Sequence, residues 1–179
     1  MPPGEFTADI ARIKERARAE IDKGPITDEY GADVERVCQV LNEALATEIV
    51  CVLRYKRHYY MATGANAAAA AAEFLEHAND EQMHMDMIAA RIVQLGGSPN
   101  FSPDGILTRS HADYVEGETL IDMIKEDLVA ERIAISSYQE IVRWLGTDDP
   151  TTRRLMEEIL AVEEEHADDL LTLLQTSRA

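Results

Sequence analysis

The chain has 179 residues, 46% apolar and only 6% aromatic, enough for one domain with a core of its own. Its formal net charge of −17 repels DNA and anionic membranes and draws cations, which argues against a nucleic-acid or membrane partner. No apolar run reaches the roughly 18 residues of a membrane span, and the start, MPPGEFTADIARIKERARAEI, lacks the apolar core of a signal peptide, so the expected compartment is the cytoplasm.

Residues 1–30 read as a separate arm. FTADIARIKERARAEI has helical character, and Gly24-Pro25 breaks it. Arg12, Lys14, Arg16 and Arg18 are largely cancelled by Asp9, Glu15, Glu20 and Asp22, so the arm suits packing against a neighbour better than binding DNA. Its apolar set, Phe6, Ile10, Ile13, Ala17 and Ile21, calls for a surface to cover.

Residues 31–179 hold four long helical segments. The first is expected from Asp33 to Ala62, ending near Gly64. The second follows Asn66 as its N-cap, gains from a run of alanines, and stops at Gly96, Gly97 and Pro99. The third is expected from Glu118 to Leu145, before Gly146. The fourth takes Asp149 as N-cap and Pro150 as first helical residue, and runs to about Leu174. Short connections after the first and third make antiparallel hairpins. The stretch from Gly96 to Gly117 is long enough to cross the length of a bundle and to hold a short helix. The expected fold is all-α: a four-helix bundle of two hairpins joined by a long crossover, with a short N-terminal helical arm. Cys38 and Cys51 fall on the first helix, roughly 20 Å apart along it, too far for a disulfide. Both read as buried thiols, with a role near Glu48 as the minor alternative for Cys51.

The apolar faces carry the chemistry. On the first helix the stripe reads Leu41, Leu45, Glu48, Val52, Tyr55, Tyr59; on the third, Ile124, Leu128, Glu131, Ile135, Tyr138, Val142. Each holds one glutamate, with a tyrosine two turns later. On the second, Phe74, Ala78, Glu81, Met85 and Ile88 share a face with His84; on the fourth, Met156, Leu160, Glu163, Ala167 and Leu170 share one with His166. The chain thus repeats itself: a glutamate, then Glu-x-x-His, once per hairpin. Four inward carboxylates cannot all stay charged without partners, since each would cost several kcal/mol to bury. The only basic side chains on these stripes are His84 and His166. Two divalent metals balance four carboxylates, and residues at i and i+3 of a helix point the same way, as Glu-x-x-His ligation requires. Carboxylates with one imidazole per metal suit iron or manganese.

Glu48, Glu131 and the two Glu-x-x-His pairs resemble the ferritin-like superfamily, over residues 33–174, and within it bacterioferritin and the Dps-like mini-ferritins with a bacterioferritin-type centre. The resemblance implies two irons per chain, held by Glu48, Glu81 and His84 from one half and Glu131, Glu163 and His166 from the other. It also implies one bridging carboxylate from each half: the Glu-x-x-His glutamates are the usual bridges, though the sequence does not separate Glu81 and Glu163 from Glu48 and Glu131. Tyr55 matches a tyrosine beside the family's centre and is the candidate catalytic side chain; Tyr138 is its counterpart by symmetry. The implied activity is ferroxidase, Fe²⁺ to Fe³⁺ with O₂ or H₂O₂, with storage in a hollow homo-oligomeric shell. Gln82 stands where bacterioferritin has its haem-binding methionine, and Met83 points elsewhere, so no haem is expected. Only 13 residues follow His166, too few for the fifth helix of 24-subunit ferritins, which favours 12 subunits. The rivals are a non-storing di-iron or di-manganese oxidoreductase with the same six ligands, a DNA-coating stress protein, which the charge opposes, and a metal-free bundle, which the desolvation cost opposes.

Overall fold

The structure, a computed structural model, describes residues 8–64 and 67–177. Phe6 of the arm and Asn66, expected to cap the second helix, lie outside the described residues. The chain divides into two compact units, one up to Tyr30 and one from Gly31.

In the first unit, helix α1 (Ile10–Ala19) starts at Asp9, whose carboxylate accepts the Arg12 backbone N–H. A 3₁₀ turn over Ile21–Lys23 leads into Gly24, whose positive φ ends it. Arg16 pairs with Asp28 and Glu29 beyond the break, and Lys23 with Glu20 and Asp28. Ile10, Ile13 and Ile21 are exposed.

The second unit has five helices among the described residues: α2 (Val34–Met61), α3 (Ala67–Gln94), α4 (Ile106–Arg109), α5 (Leu120–Leu145) and α6 (Pro150–Thr176). Asp33 caps α2, and Asp149 caps α6 with Pro150 in the first turn. The third long helix begins at Leu120 rather than Glu118. Thr119 and Asp122 form a reciprocal capping box there, satisfying two otherwise unpaired N–H groups. The α2–α3 and α5–α6 hairpins pack along their lengths, and α3 on α6 and α2 on α5 close a four-helix bundle. The crossover runs over α2, where the short α4 also lies.

The buried faces are wider than single stripes, because each long helix meets several neighbours. On α2, Cys51, Arg54 and His58 are buried while Val52 and Tyr59 are only partly so. On α5, Ala134 and Ile141 take the place of Ile135 and Val142. Arg54 donates to Asp127 of α5 at 2.7 Å and to the Asp113 carbonyl, and His58 bridges Asp127 and the Glu116 carbonyl, so these groups clamp the crossover to the bundle. His84 and His166 are therefore not the only buried basic groups: Arg54, His58, His77 and Arg91 are buried too. Cys38 and Cys51 are free and buried.

Candidate metal centre

The helical register turns the six candidate residues to one point inside the bundle. Glu48 lies mid-α2, Glu131 mid-α5, and the two Glu-x-x-His pairs mid-α3 and mid-α6. The four glutamates are each 1% exposed, His84 3% and His166 2%.

His84 Nδ1 lies 3.0 Å from Glu163 Oε1, 3.2 Å from Glu81 Oε2 and 3.6 Å from Glu48 Oε2. His166 Nδ1 lies 3.7 Å from Glu163 Oε2, 3.8 Å from Glu81 Oε1 and 3.9 Å from Glu131 Oε2. Glu81 and Glu163 thus present one oxygen to each histidine, whereas Glu48 faces His84 and Glu131 faces His166. Two overlapping groups of donors result, Glu48–Glu81–His84–Glu163 and Glu81–Glu131–Glu163–His166, in each of which the ligand atoms lie within 4.8 Å of one another.

Each hairpin supplies a tyrosine to the other. Tyr55 of α2 donates to Glu131 of α5, and Tyr138 of α5 donates to Glu48 of α2. Both rings are buried, and burial together with the nearby carboxylates pushes both phenols well above their ordinary pKa, so each stays a donor. His166 Nε2 lies 3.4 Å from Asp80 Oδ2. That contact fixes the tautomer with Nε2 protonated and leaves the Nδ1 lone pair facing the centre.

Burial drives Glu81 and Glu131 well above the usual carboxylate range, and the neighbouring glutamates, Glu163 first, add to it. Burial works the same way on Glu48, but hydrogen bonds from Glu81, His84 and Tyr138 outweigh it and hold Glu48 low. Burial also works against a charged His84, yet Glu163 and Glu48 overcome it and raise the imidazole to about 10. The centre thus neutralises itself with protons. Even so, one oxygen each of Glu48, Glu81 and Glu131, both oxygens of Glu163 and Nδ1 of His166 are buried without a hydrogen bond. Native proteins rarely leave such groups unmet. Carboxylate oxygens with one imidazole nitrogen per group form the donor set of a hard divalent cation, so the residues fit a pair of such ions.

Reading for Glu-x-x-His missed Asp80 and His77. His77 stacks on His166, with ring centroids 3.9 Å apart and 19° between planes, and its Nδ1 is 3.3 Å from the Tyr55 hydroxyl. Burial and the adjacent His166 hold it down to about 3, so it is neutral. The sequence pattern alone does not separate it from a core histidine. Gln82 and Met83 are both exposed on α3.

The ferritin-like domain family matches this chain over residues 38–179. A bacterioferritin of Mycobacterium bovis is 32% identical over 140 residues, which cover 78% of this chain and 84% of that protein. Among solved structures, a dodecameric thioferritin, the bacterioferritin-related protein from Bacteroides fragilis, superposes with a TM-score of 0.78 at 30% identity, over 92% of this chain and 95% of that one. Mycobacterium tuberculosis bacterioferritin, BfrA, superposes with a TM-score of 0.70 at 29% identity, over 81% and 87%.

Proposed function

Because the chain belongs to the ferritin-like domain family, we propose that it oxidises Fe²⁺ to Fe³⁺ at the buried centre of each bundle and stores the product within a hollow shell of its own copies. The observation that carries this reading is the pair of overlapping donor groups, with five glutamate oxygens left without a hydrogen bond. In this proposal Fe²⁺ is the substrate, two ions per chain. Glu48 and His84 hold one ion and Glu131 and His166 the other. Glu81 and Glu163 bridge them, because each turns one oxygen to each side.

Each Fe²⁺ gives up one electron. O₂ takes two electrons and two protons to become H₂O₂, or H₂O₂ takes two and two to become water. The protein's part is positional and electrostatic. Four carboxylates in a dry site stabilise the higher charge of the product. Tyr55 and Tyr138 hold Glu131 and Glu48 in place by donating to them, and Asp80 orients His166. Fe²⁺ must displace the protons that Glu81, Glu131 and His84 carry in its absence. No haem is assigned, since Gln82 follows Glu81 where bacterioferritin has its haem-binding methionine. The assigned location is the cytoplasm; among the described residues no helix is long and apolar enough to cross a membrane.

Storage, rather than di-metal oxidation alone, is favoured by the likeness to bacterioferritins and to a thioferritin named as dodecameric, and 12 copies are proposed. DNA coating is disfavoured by the charge of −17. Anaerobic Fe²⁺ titration should saturate at two ions per chain, and admitting O₂ should oxidise them rapidly. Fewer than one tightly bound ion per chain would end this reading. A protein that binds and oxidises two ions but retains no more under iron loading would be an oxidoreductase without storage.

A further inference from the structure

A second donor group lies beside the centre, on the far side of the His77 ring. His77 is 1% exposed, and its Nε2 is buried without a hydrogen bond. That nitrogen faces Glu73 Oε2 at 3.7 Å and Asp169 Oδ2 at 3.9 Å, both too long for hydrogen bonds. The two acids are half exposed, with side-chain accessibilities of 37% and 49%. Ligand atoms of the three residues lie within 4.8 Å of one another. A metal bonded at about 2.1 Å to nitrogen and oxygen would fit between them after a small inward swing of the two flexible acids.

The internal repeat supplies a control. The spacing that carries Glu81 onto Glu163 and His84 onto His166 carries Glu73 onto Leu155 and His77 onto Ile159, and pairs Asp169 with Met87. Met87 and Leu155 line one surface hollow, and Ile159 is buried. The three positions equivalent by the repeat, again shared between α3 and α6, are thus all apolar. A requirement of packing alone would be met by such residues on both sides, so an imidazole and two carboxylates on one side call for a different explanation.

We propose that Glu73, His77 and Asp169 form a third divalent-cation site, which takes a first-row transition ion and stages it for the buried centre. One imidazole with two carboxylates suits Fe²⁺, Mn²⁺, Co²⁺ or Zn²⁺. Coordination at Nε2 requires the proton on Nδ1, so the filled site directs an N–H toward Tyr55, which in turn donates to Glu131. The ring also stacks on His166, so a staged ion sits one imidazole away from the centre. The site itself stands on its own residues; only its staging role rests on the ferroxidase reading.

The test uses the intact assembly and Co²⁺. Equilibrium titration of the unaltered protein should give three ions per chain, and the double variant Glu73→Gln/Asp169→Asn two. Both positions are partly or wholly exposed, so the fold should survive. Anomalous diffraction from Co²⁺-soaked crystals of the unaltered protein should place a peak at His77 Nε2, separate from the peaks among the six inner residues. Two ions in both proteins, with no peak at Nε2, would overturn the third site and leave the inner centre intact. A peak at Nε2 with none among the inner six would uphold the site and remove the ferroxidase reading. Staging adds a kinetic signature: with Fe²⁺ and O₂ the double variant should show a raised KM at unchanged kcat. An unchanged KM despite loss of one ion would overturn the staging role.

Discussion

Glu131 shows what the inner centre costs without metal. Its carboxyl is buried against Glu163 and raised well above the usual range, so holding it ionised works against folding. Glu131→Gln keeps an acceptor for Tyr55 and removes the need to take up a proton, or bury a charge, on folding. The metal-free variant should unfold at higher temperature, by about 1–4 kcal/mol of added stability, while rapid Fe²⁺ oxidation disappears; calorimetry and stopped-flow absorbance check the two halves. Tyr55→Phe should leave the bundle folded and weaken binding or oxidation by about 10–100-fold, the usual cost of losing a group that orients a ligand. The pH dependence follows from His84, raised from 6.5 to about 10. A raised folded-state pKa means that the native protein keeps a proton the unfolded chain has released. Its stabilisation is full below 6.5 and is lost as pH rises through about 10. Glu81 and Glu131 act in the same direction from their lower starting values. The metal-free protein should therefore melt at a higher temperature at pH 6 than at pH 9. Metal affinity should run the other way, gaining up to about tenfold per pH unit for each proton displaced. The carboxylates around His84 move the pH below which binding weakens above the free imidazole value.

At the scale of helices and loops, the crossover is the tightest fit. A Cβ on Gly97 would stand 2.7 Å from Cys38 Sγ and 3.0 Å from Ile92 Cγ2. Gly97→Ala should destabilise the bundle by about 1–3 kcal/mol through overpacking, and Cys38→Ala in the same chain should restore part of it; denaturant midpoints measure both. This contact was not legible beforehand, because it joins a loop to a distant helix. Arg54, His58 and Asp127 escaped notice for the same reason: their partners are crossover carbonyls and residues of another helix, at Asp113, Glu116 and across the bundle. What was legible is what helical periodicity encodes. Glu48, Glu81, His84, Glu131, Glu163 and His166 sit on apolar faces twice over, and a bundle of this connectivity brings those faces together. The helix start at Thr119 was legible in Thr119-x-x-Asp122 ahead of an apolar run, a capping box that the Glu118 boundary passed over. His77 shares its face with Ala78 and Glu81, but nothing periodic marks it as different from a core histidine. Only its open nitrogen does.

For the whole molecule, the proposed shell predicts a mass. Twelve chains of 20.0 kDa make roughly 240 kDa, and 24 make roughly 480 kDa. Light scattering coupled to size exclusion should return the smaller value; the larger would change the copy number and keep storage. The exposed isoleucines of α1 fit an arm that packs on a neighbouring copy, so a chain lacking residues 1–30 should assemble less completely at equal concentration. The exchanged tyrosines have a further consequence. Each tyrosine reaches across to a glutamate of the other hairpin, Tyr55 to Glu131 and Tyr138 to Glu48, while Tyr55 also lies beside His77 of its own hairpin. If the hairpins slid past each other by one helical turn, the contacts to Glu131 and Glu48 would both be lost at once, deep in the core. Misalignment would then break two buried inter-hairpin contacts together, and Tyr138 would be left with no replacement acceptor for Glu48. The pair of tyrosines thereby acts as a proofreading device for the docking step of folding, before any metal arrives.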